Sequence, residues 1–395
     1  MKTSSMRKVF LALAAVGLAT FLGQLALRQP AHAWQAYLIN FLVFSAIAQG
    51  ALLFSALMHT VRAKWSGPLS NLAESFCAFF PISLLLFLVL FLGREHVFPW
   101  LHADLHGKEI WLNMPFLFAR DLAGLVILYG LGLAYTYQAL RLKLTEAEGG
   151  GRLQQFLLRR WQRRPGDPAR HLRRKNVLSI LYLLAFTVVL SLIGYDLVMA
   201  ADPHWYSTLF GAYSFVKAVY MGFGALIILA AVCQLREESG FNIPASNFHD
   251  IGKLLFAFCL VWADFFYAQL VVIWYGNLPE ETAYVIERVM HAPWSVLAWI
   301  VFAVCFIAPF LILLNRKVKT LPRFMLIFCS VLIAGMWLEH LLLLGPALNQ
   351  DATSIPLGVS DVLITAGFFG LMALAVSGYL RQFPALARMT PKEVH

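Results

Sequence analysis

Few side chains in the apolar stretches of this chain can hold or pass a proton. Arg120 and Asp121, Asp196, Gln269, and Glu339 with His340 lie toward one end of their helices; Lys217 and Asp264 lie near the middle; His59 and Glu74 lie at the opposite ends. An ionisable group at the centre of a membrane helix costs about 2.5–3.5 kcal/mol on insertion scales unless it is paired or hydrated. Carboxylates, an amide and a histidine in apolar surroundings suit proton transfer, or hydrogen bonding to the oxygens of a quinone. The plainer alternative is that Arg120 and Asp121 anchor a helix end, that Glu339 pairs with a cation, and that His59 is a solvated boundary residue. The five cysteines, Cys77, Cys233, Cys259, Cys305 and Cys329, are scattered through the apolar stretches without CxxC or CxxCH spacing. They imply neither an iron–sulfur cluster nor covalent haem, and no metal site is expected.

The elements that must position these groups are membrane helices. A chain of 395 residues with 60% hydrophobic and 13% charged content cannot hide its apolar surface in a soluble core. Ten runs have bilayer-spanning length: Val9 to Leu27, Trp34 to Met58, Ser75 to Leu92, Pro115 to Leu140, Val177 to Ala200, Tyr206 to Leu235, Asp250 to Tyr275, Pro293 to Leu314, Pro322 to Leu344 and Asp361 to Leu380. The first has a rival reading as a signal peptide, since Met1 to Lys8 is basic and Ala31-His32-Ala33 resembles a cleavage site; it is taken as a span. Spans 2–5 and 6–9 are four helices each with the same starting side.

The formal charge of +10 is concentrated in the loops, and Arg141 to Lys175 holds eleven Lys or Arg against three acids. Basic residues recur in alternate loops, while Glu95, Asp104, Asp202, Glu280, Glu281 and Asp351 occupy the others. By the positive-inside rule both termini are cytoplasmic, and the basic patch signals lipid headgroups, not nucleic acid. Within residues 141–175 a joint at Gly149 to Gly151 precedes Leu153, Phe156, Leu157 and Trp161, spaced as one face of an interfacial helix that Pro165 and Pro168 end. On the other side, Asn277 followed by Pro279, Glu280 and Glu281 opens a short helix over 277–291, whose face of Tyr284, Val285, Ile286 and Val289 is expected to lie flat and dock a partner.

Three segments carry a resemblance: FHDIGK…IWYGNLPEE from Phe248, YDLVMAADPHWYSTLFGAYSF from Tyr195 to Phe215, and VFPWLHADLHGKEIWLNMPFLFARD from Val97 to Asp121. They resemble the polysulfide reductase membrane-subunit (NrfD-like) family, in particular the second NrfD-like membrane subunit of alternative complex III, a quinol:cytochrome c oxidoreductase. The resemblance implies two four-helix bundles, spans 2–5 and 6–9, flanked by spans 1 and 10. It also implies as partners a second NrfD-like membrane subunit, an iron–sulfur protein and multihaem cytochrome c subunits in a bacterial inner membrane. Asp196 matches an aspartate that belongs to the quinone site of the paired subunit, and Glu339 in GMWLEH stands where relatives carry an aspartate after tryptophan. Where the paired subunit has a quinone-site histidine, this chain has Ser191 and Leu192. That departure argues against quinol oxidation by this chain alone and for a partner or proton-path role.

The resulting expectation is an all-α integral membrane subunit of a respiratory quinol-oxidising complex. It has no catalytic residue of its own and no tightly bound cofactor, quinone being the candidate ligand. The proton-path or quinone-side candidates are Asp196, Glu339, Gln269, Arg120, Lys217, Asp264, His59 and Glu74. A secondary transporter of an organic ion and a non-catalytic scaffold remain alternatives. Lys217 lies 12 residues from Trp205 and Asp264 10 from Trp274. At about 1.5 Å per residue both are near the midplane, so an ion pair between spans 6 and 7 is expected.

Overall fold

The computed structural model describes residues 3–105, 107–144, 150–163, 166–236, 242–349 and 353–388. Gly149, Pro165 and Asp351, read above as part of a joint, a helix stop and a loop acid, lie outside the described residues. Ten helices among those described are long and apolar enough to cross a membrane: Ser5–Ala26, Pro30–Thr60, Gly67–Val97, Met114–Lys143, Pro168–Ala201, Phe210–Leu235, Ala245–Gly276, Trp294–Leu314, Pro322–Leu348 and Val359–Gln382. These are spans 1 to 10, and the protein is an all-α integral membrane protein.

Several starts are written locally. Asn113 Oδ1 accepts from the Phe116 amide at 3.0 Å, and Asp167 Oδ1 accepts from the Ala169 amide at 3.0 Å, each just ahead of a first-turn proline. Span 7 ends on Asn277 in the left-handed region, φ 45°, a conformation asparagine tolerates better than most residues. Span 3 begins at Gly67 rather than near Ser75 and tightens into a 3₁₀ turn over Ser75–Phe79, ahead of Pro81. The expectation that Glu74 marks a helix end is therefore corrected: it lies a full two turns inside the span.

Spans 2–5 form one four-helix bundle and spans 6–9 another, while spans 1 and 10 pair with each other and lean on spans 2 and 3. The bundles join through spans 2 and 6, the two most buried of the ten. A Cβ on Gly50 would overlap the Ala218 carbonyl, and one on Gly222 would overlap the backbone of Gly50. Only glycine lets these helices approach backbone to backbone, where dispersion does the work that the hydrophobic effect cannot do in lipid. Gly17 on span 1 and Gly367 on span 10 repeat the device.

The basic-loop helix, Arg152–Arg163, splits its apolar face between two tasks. Trp161 is buried and donates to Tyr137 Oη at 2.8 Å, packing with Leu140, Leu144 and Phe383, whereas Leu153 and Phe156 stay exposed. The short helix between spans 7 and 8, Pro279–Val289, turns Tyr284 and Arg288 into the second bundle, with Val285 and Val289 lining the same interior cavity, so the face expected to dock a partner is corrected: of its four residues only Ile286 is exposed.

Candidate functional site

The first bundle holds its polar groups in three levels. On the basic-loop side, Glu74 is fully buried and receives Lys143 Nζ on both oxygens, at 2.7 and 2.8 Å, with Ser55 donating at 3.0 Å. Lys143 also donates to Asn71 Oδ1 at 2.7 Å, and Tyr135 Oη meets Ser55 at 3.0 Å. This cluster is assembled because span 3 runs on past Ser75 toward the basic side, which brings Glu74 level with the last turn of span 4. His59 stands at the rim, bonded to Asn176 Oδ1 at 2.8 Å, and so ties span 2 to span 5.

At the middle level Tyr129 Oη meets Ser83 at 2.7 Å and accepts from Gln49 at 2.8 Å, Ser83 meets Ser45 at 2.5 Å, and Tyr182 donates to the Gln49 carbonyl at 2.9 Å. Ser55 lies six residues from Gln49, about 9 Å along span 2. These neutral groups are not among the sequence candidates; serine and tyrosine at helical spacing look like ordinary packing until their partners are placed.

On the opposite side Arg120 grips Asp196 bidentately, Nε and Nη2 each at 2.6 Å, while Trp111 Nε1 donates to the same carboxylate at 3.0 Å. The guanidinium also stacks 3.9 Å from the Trp111 ring. This fork-to-fork pairing is the strongest geometry available to an arginine. Asp121, buried beside it, lies against Asp196 and receives no hydrogen bond from a donor among the described residues. Tyr129 lies eight residues from Asp121 along span 4, about 12 Å, an interval flanked by buried Leu125, Val189 and Ile193.

The second bundle holds the remaining candidates. Glu339 is 2% exposed. Its Oε1 accepts from Tyr213 Oη, and from Trp262 Nε1 at 3.4 Å. Its Oε2 has no hydrogen bond and faces Lys217 Nζ at 3.5 Å. The expected pair is thereby corrected: Lys217 meets Glu339, not Asp264. Asp264 has no hydrogen bond or ion pair to any described residue and lies on the exposed face of span 7. Trp262, two residues earlier, faces the interior, and two residues rotate a helix by about 200°. The depths match but the directions do not.

Glu339 borders a cavity of about 90 Å³ whose wall includes Gln269, Trp262, Phe266 and Tyr213. Its roof is the Trp205–Tyr284 stack, ring centroids 3.7 Å apart, with Arg288 lying 3.4 Å over Tyr284. The structure therefore brings together Arg120 with Asp196, and Glu339 with Lys217 and Gln269, but in different bundles; Glu74 and His59 stand apart from both on the other side. All five cysteines are buried thiols.

Against this architecture, residues 24–351 match the model of the family described as polysulphide reductase, NrfD. The chain belongs to the NrfD family. Its membrane subunits are generally parts of redox complexes and typically partner with iron–sulfur and other redox proteins. No curated protein matches the chain. For an NrfD-family subunit, the two bundles with ionisable groups turned inward are the features to interpret.

Proposed function

We propose that this NrfD-family chain is the second membrane subunit of a quinol-oxidising complex of the alternative complex III type, and that its first bundle carries part of a proton path. Quinol oxidation releases protons with electrons, so such a complex needs groups that accept them. The observation that carries the reading is the stacking of polar levels inside one bundle: Glu74–Lys143 with Ser55 and Tyr135, then Gln49–Tyr129–Ser83, then Asp121 beside Arg120–Asp196. The intervals of about 9 and 12 Å between levels are spans that bridging water must cover when a proton moves. Asp121 is the group in the outer level with acceptor capacity left over.

The clamp on Asp196 supports a partner role rather than quinol oxidation at that place. A carboxylate held by a bidentate arginine and an indole has little left to offer a quinol hydroxyl. The charge asymmetry of the loops supports cytoplasmic termini in a bacterial inner membrane. Span 7 supports a neighbouring membrane subunit, because its exposed face carries Asp264 beside Tyr267 at a depth where lipid cannot hydrogen-bond a carboxylate. In this reading the iron–sulfur and multihaem cytochrome subunits sit on the acidic side, around the 277–291 segment.

The test is Glu74→Gln combined with Lys143→Met, so that no buried charge is left unpaired, and separately Asp121→Asn, in the assembled complex, measuring proton release per quinol oxidised. Intact assembly with impaired proton release in either variant is the expected result. Unchanged stoichiometry and rate in both would remove the first bundle from proton transfer.

A further inference from the structure

The basic-loop helix Arg152–Arg163 is fastened to the ends of two membrane spans. Leu157, Leu158 and Trp161 pack inward on Leu140, Leu144 and Phe383, where spans 4 and 10 finish on the basic side. Its start is tied to span 10 as well: the Gly151 amide donates to the Gln382 carbonyl and the Leu153 amide to Gln382 Oε1, each at 3.0 Å. Those bonds serve backbone donors that a helix start leaves unpaired. Held at its start by Gln382 and near its end by Trp161, and seated on the ends of membrane spans, the helix lies at headgroup level in a fixed orientation.

The side turned outward is an arginine face with an aromatic centre. Phe156 is 59% exposed and Leu153 47%. Arg152, Arg159 and Arg160 stand three or four residues from Phe156, and Arg163 three or four from Arg160 and Arg159, so all four flank one face. They are exposed, make no hydrogen bond or ion pair to a described residue, and share a helix without an acid. Like charges at these spacings repel. The first turns of span 5 add Arg170, Arg173 and Arg174, exposed and equally without such partners, while His171 and Lys175 turn inward. A face in water gains nothing from a phenylalanine at its centre. A bilayer surface does, because the ring enters the acyl boundary while the guanidiniums fork onto phosphate oxygens.

We propose that this face is a docking site for an anionic phospholipid of the basic-side leaflet, its phosphate held among Arg159, Arg160 and Arg163 and its acyl chains against Phe156 and Leu153. The bound anion relieves the repulsion among guanidiniums that no carboxylate of the helix offsets. A zwitterionic headgroup offers the same phosphate but brings its own cation into the cluster, so net charge selects the lipid. An acidic protein surface would answer the arginines, but not the exposed apolar centre at headgroup level.

The test uses the purified full-length chain in a neutral detergent, titrated with dioleoyl phosphatidylglycerol or dioleoyl phosphatidylcholine, with retained lipid read by native mass spectrometry. Phosphatidylglycerol should be retained in preference to phosphatidylcholine. Arg159→Gln, Arg160→Gln and Arg163→Gln together should weaken it about a hundredfold, about fivefold for each arginine, and Phe156→Ser should weaken it about tenfold at unchanged charge. All four side chains are on the surface, so the variants keep the fold. Arg316→Gln, Lys317→Gln and Arg323→Gln together remove the same charge from another exposed basic segment and should have no comparable effect. An equal loss there would mean attraction by net charge alone and overturns the site. So does equal retention of the two lipids, or parent-like retention of phosphatidylglycerol in either the arginine or the Phe156 variant. If the arginine variant keeps its lipid but no longer assembles with partner subunits, the face reads an acidic protein and the lipid assignment fails.

Discussion

Lys143→Met should destabilise the protein far more than Lys143→Met combined with Glu74→Gln. At 2.7 Å and an effective dielectric of about 20, the Coulomb attraction between the two charges is about 6 kcal/mol. Stripping water from each ion costs several kcal/mol, so the intact pair contributes little net stability. Removing the lysine alone leaves Glu74, fully buried, with the Ser55 hydroxyl and no ammonium in contact. The expected loss is about 3–5 kcal/mol. Lys175, whose ammonium lies 5.5 Å over the Tyr135 ring, is the nearest replacement cation and pulls the value toward the lower end. The double variant replaces the carboxylate with a neutral amide that Ser55 can still serve, and should lie within about 1 kcal/mol of the parent. Because large membrane proteins often unfold irreversibly, the comparison is the order of melting temperatures at one heating rate in one detergent. A double variant no more stable than Lys143→Met, or a Lys143→Met variant as stable as the parent, would refute the reasoning.

Gly50→Ala should cost more than about 2 kcal/mol through overpacking of the crossing between spans 2 and 6, while Gly130→Ala, whose added methyl meets nothing within 4 Å, should be neutral or slightly stabilising; equal melting temperatures for the two variants would count against the crossing as the seam of the bundles. Arg120→Lys keeps the charge but loses the fork on Asp196, so a loss of about 1–3 kcal/mol is expected, with a melting temperature unchanged from the parent as the contrary result. Asp264→Leu should leave the isolated chain as stable as before or more so, by up to about 2.5–3.5 kcal/mol in the bilayer, yet lower the yield of assembled complex on co-purification; an unaffected complex would show that nothing reads this carboxylate.

Hydropathy placed all ten spans, because spanning length and composition are properties of a helix by itself. Proline marked the starts of spans 4 and 9 for the same reason, whereas Pro168, read as a helix stop, is the residue that opens span 5, nine residues before the expected Val177. The pairing into two bundles came from the resemblance and from counting, while the glycine contacts that hold them together needed coordinates: Gly50 and Gly222 carry no sequence mark that separates them from Gly130. Span 3 was underestimated because Asn71 and Glu74 look like boundary residues when Lys143 and Asn71 have not yet been brought face to face. The neutral members of the first bundle's ladder were invisible for a related reason, since Gln49, Ser83 and Tyr129 declare a role only through one another.

Lys217 shows what one-dimensional depth can and cannot decide. Counting residues from Trp205 and Trp274 put Lys217 and Asp264 at one level, and spans 6 and 7 are indeed in contact. Direction is fixed by a different quantity, the angle about each helix, and Trp262, Phe266, Gln269 and Ile273 all line the second-bundle cavity. Their spacing of four, three and four residues puts them on one stripe of span 7, and Asp264 falls opposite it. Once that stripe is recognised, Asp264 is excluded as an interior partner, and the acid left at the inner end of the cavity is Glu339 on span 9. A lysine 4% exposed must then choose Glu339, and the carboxylate on the outside must be answered from outside the chain.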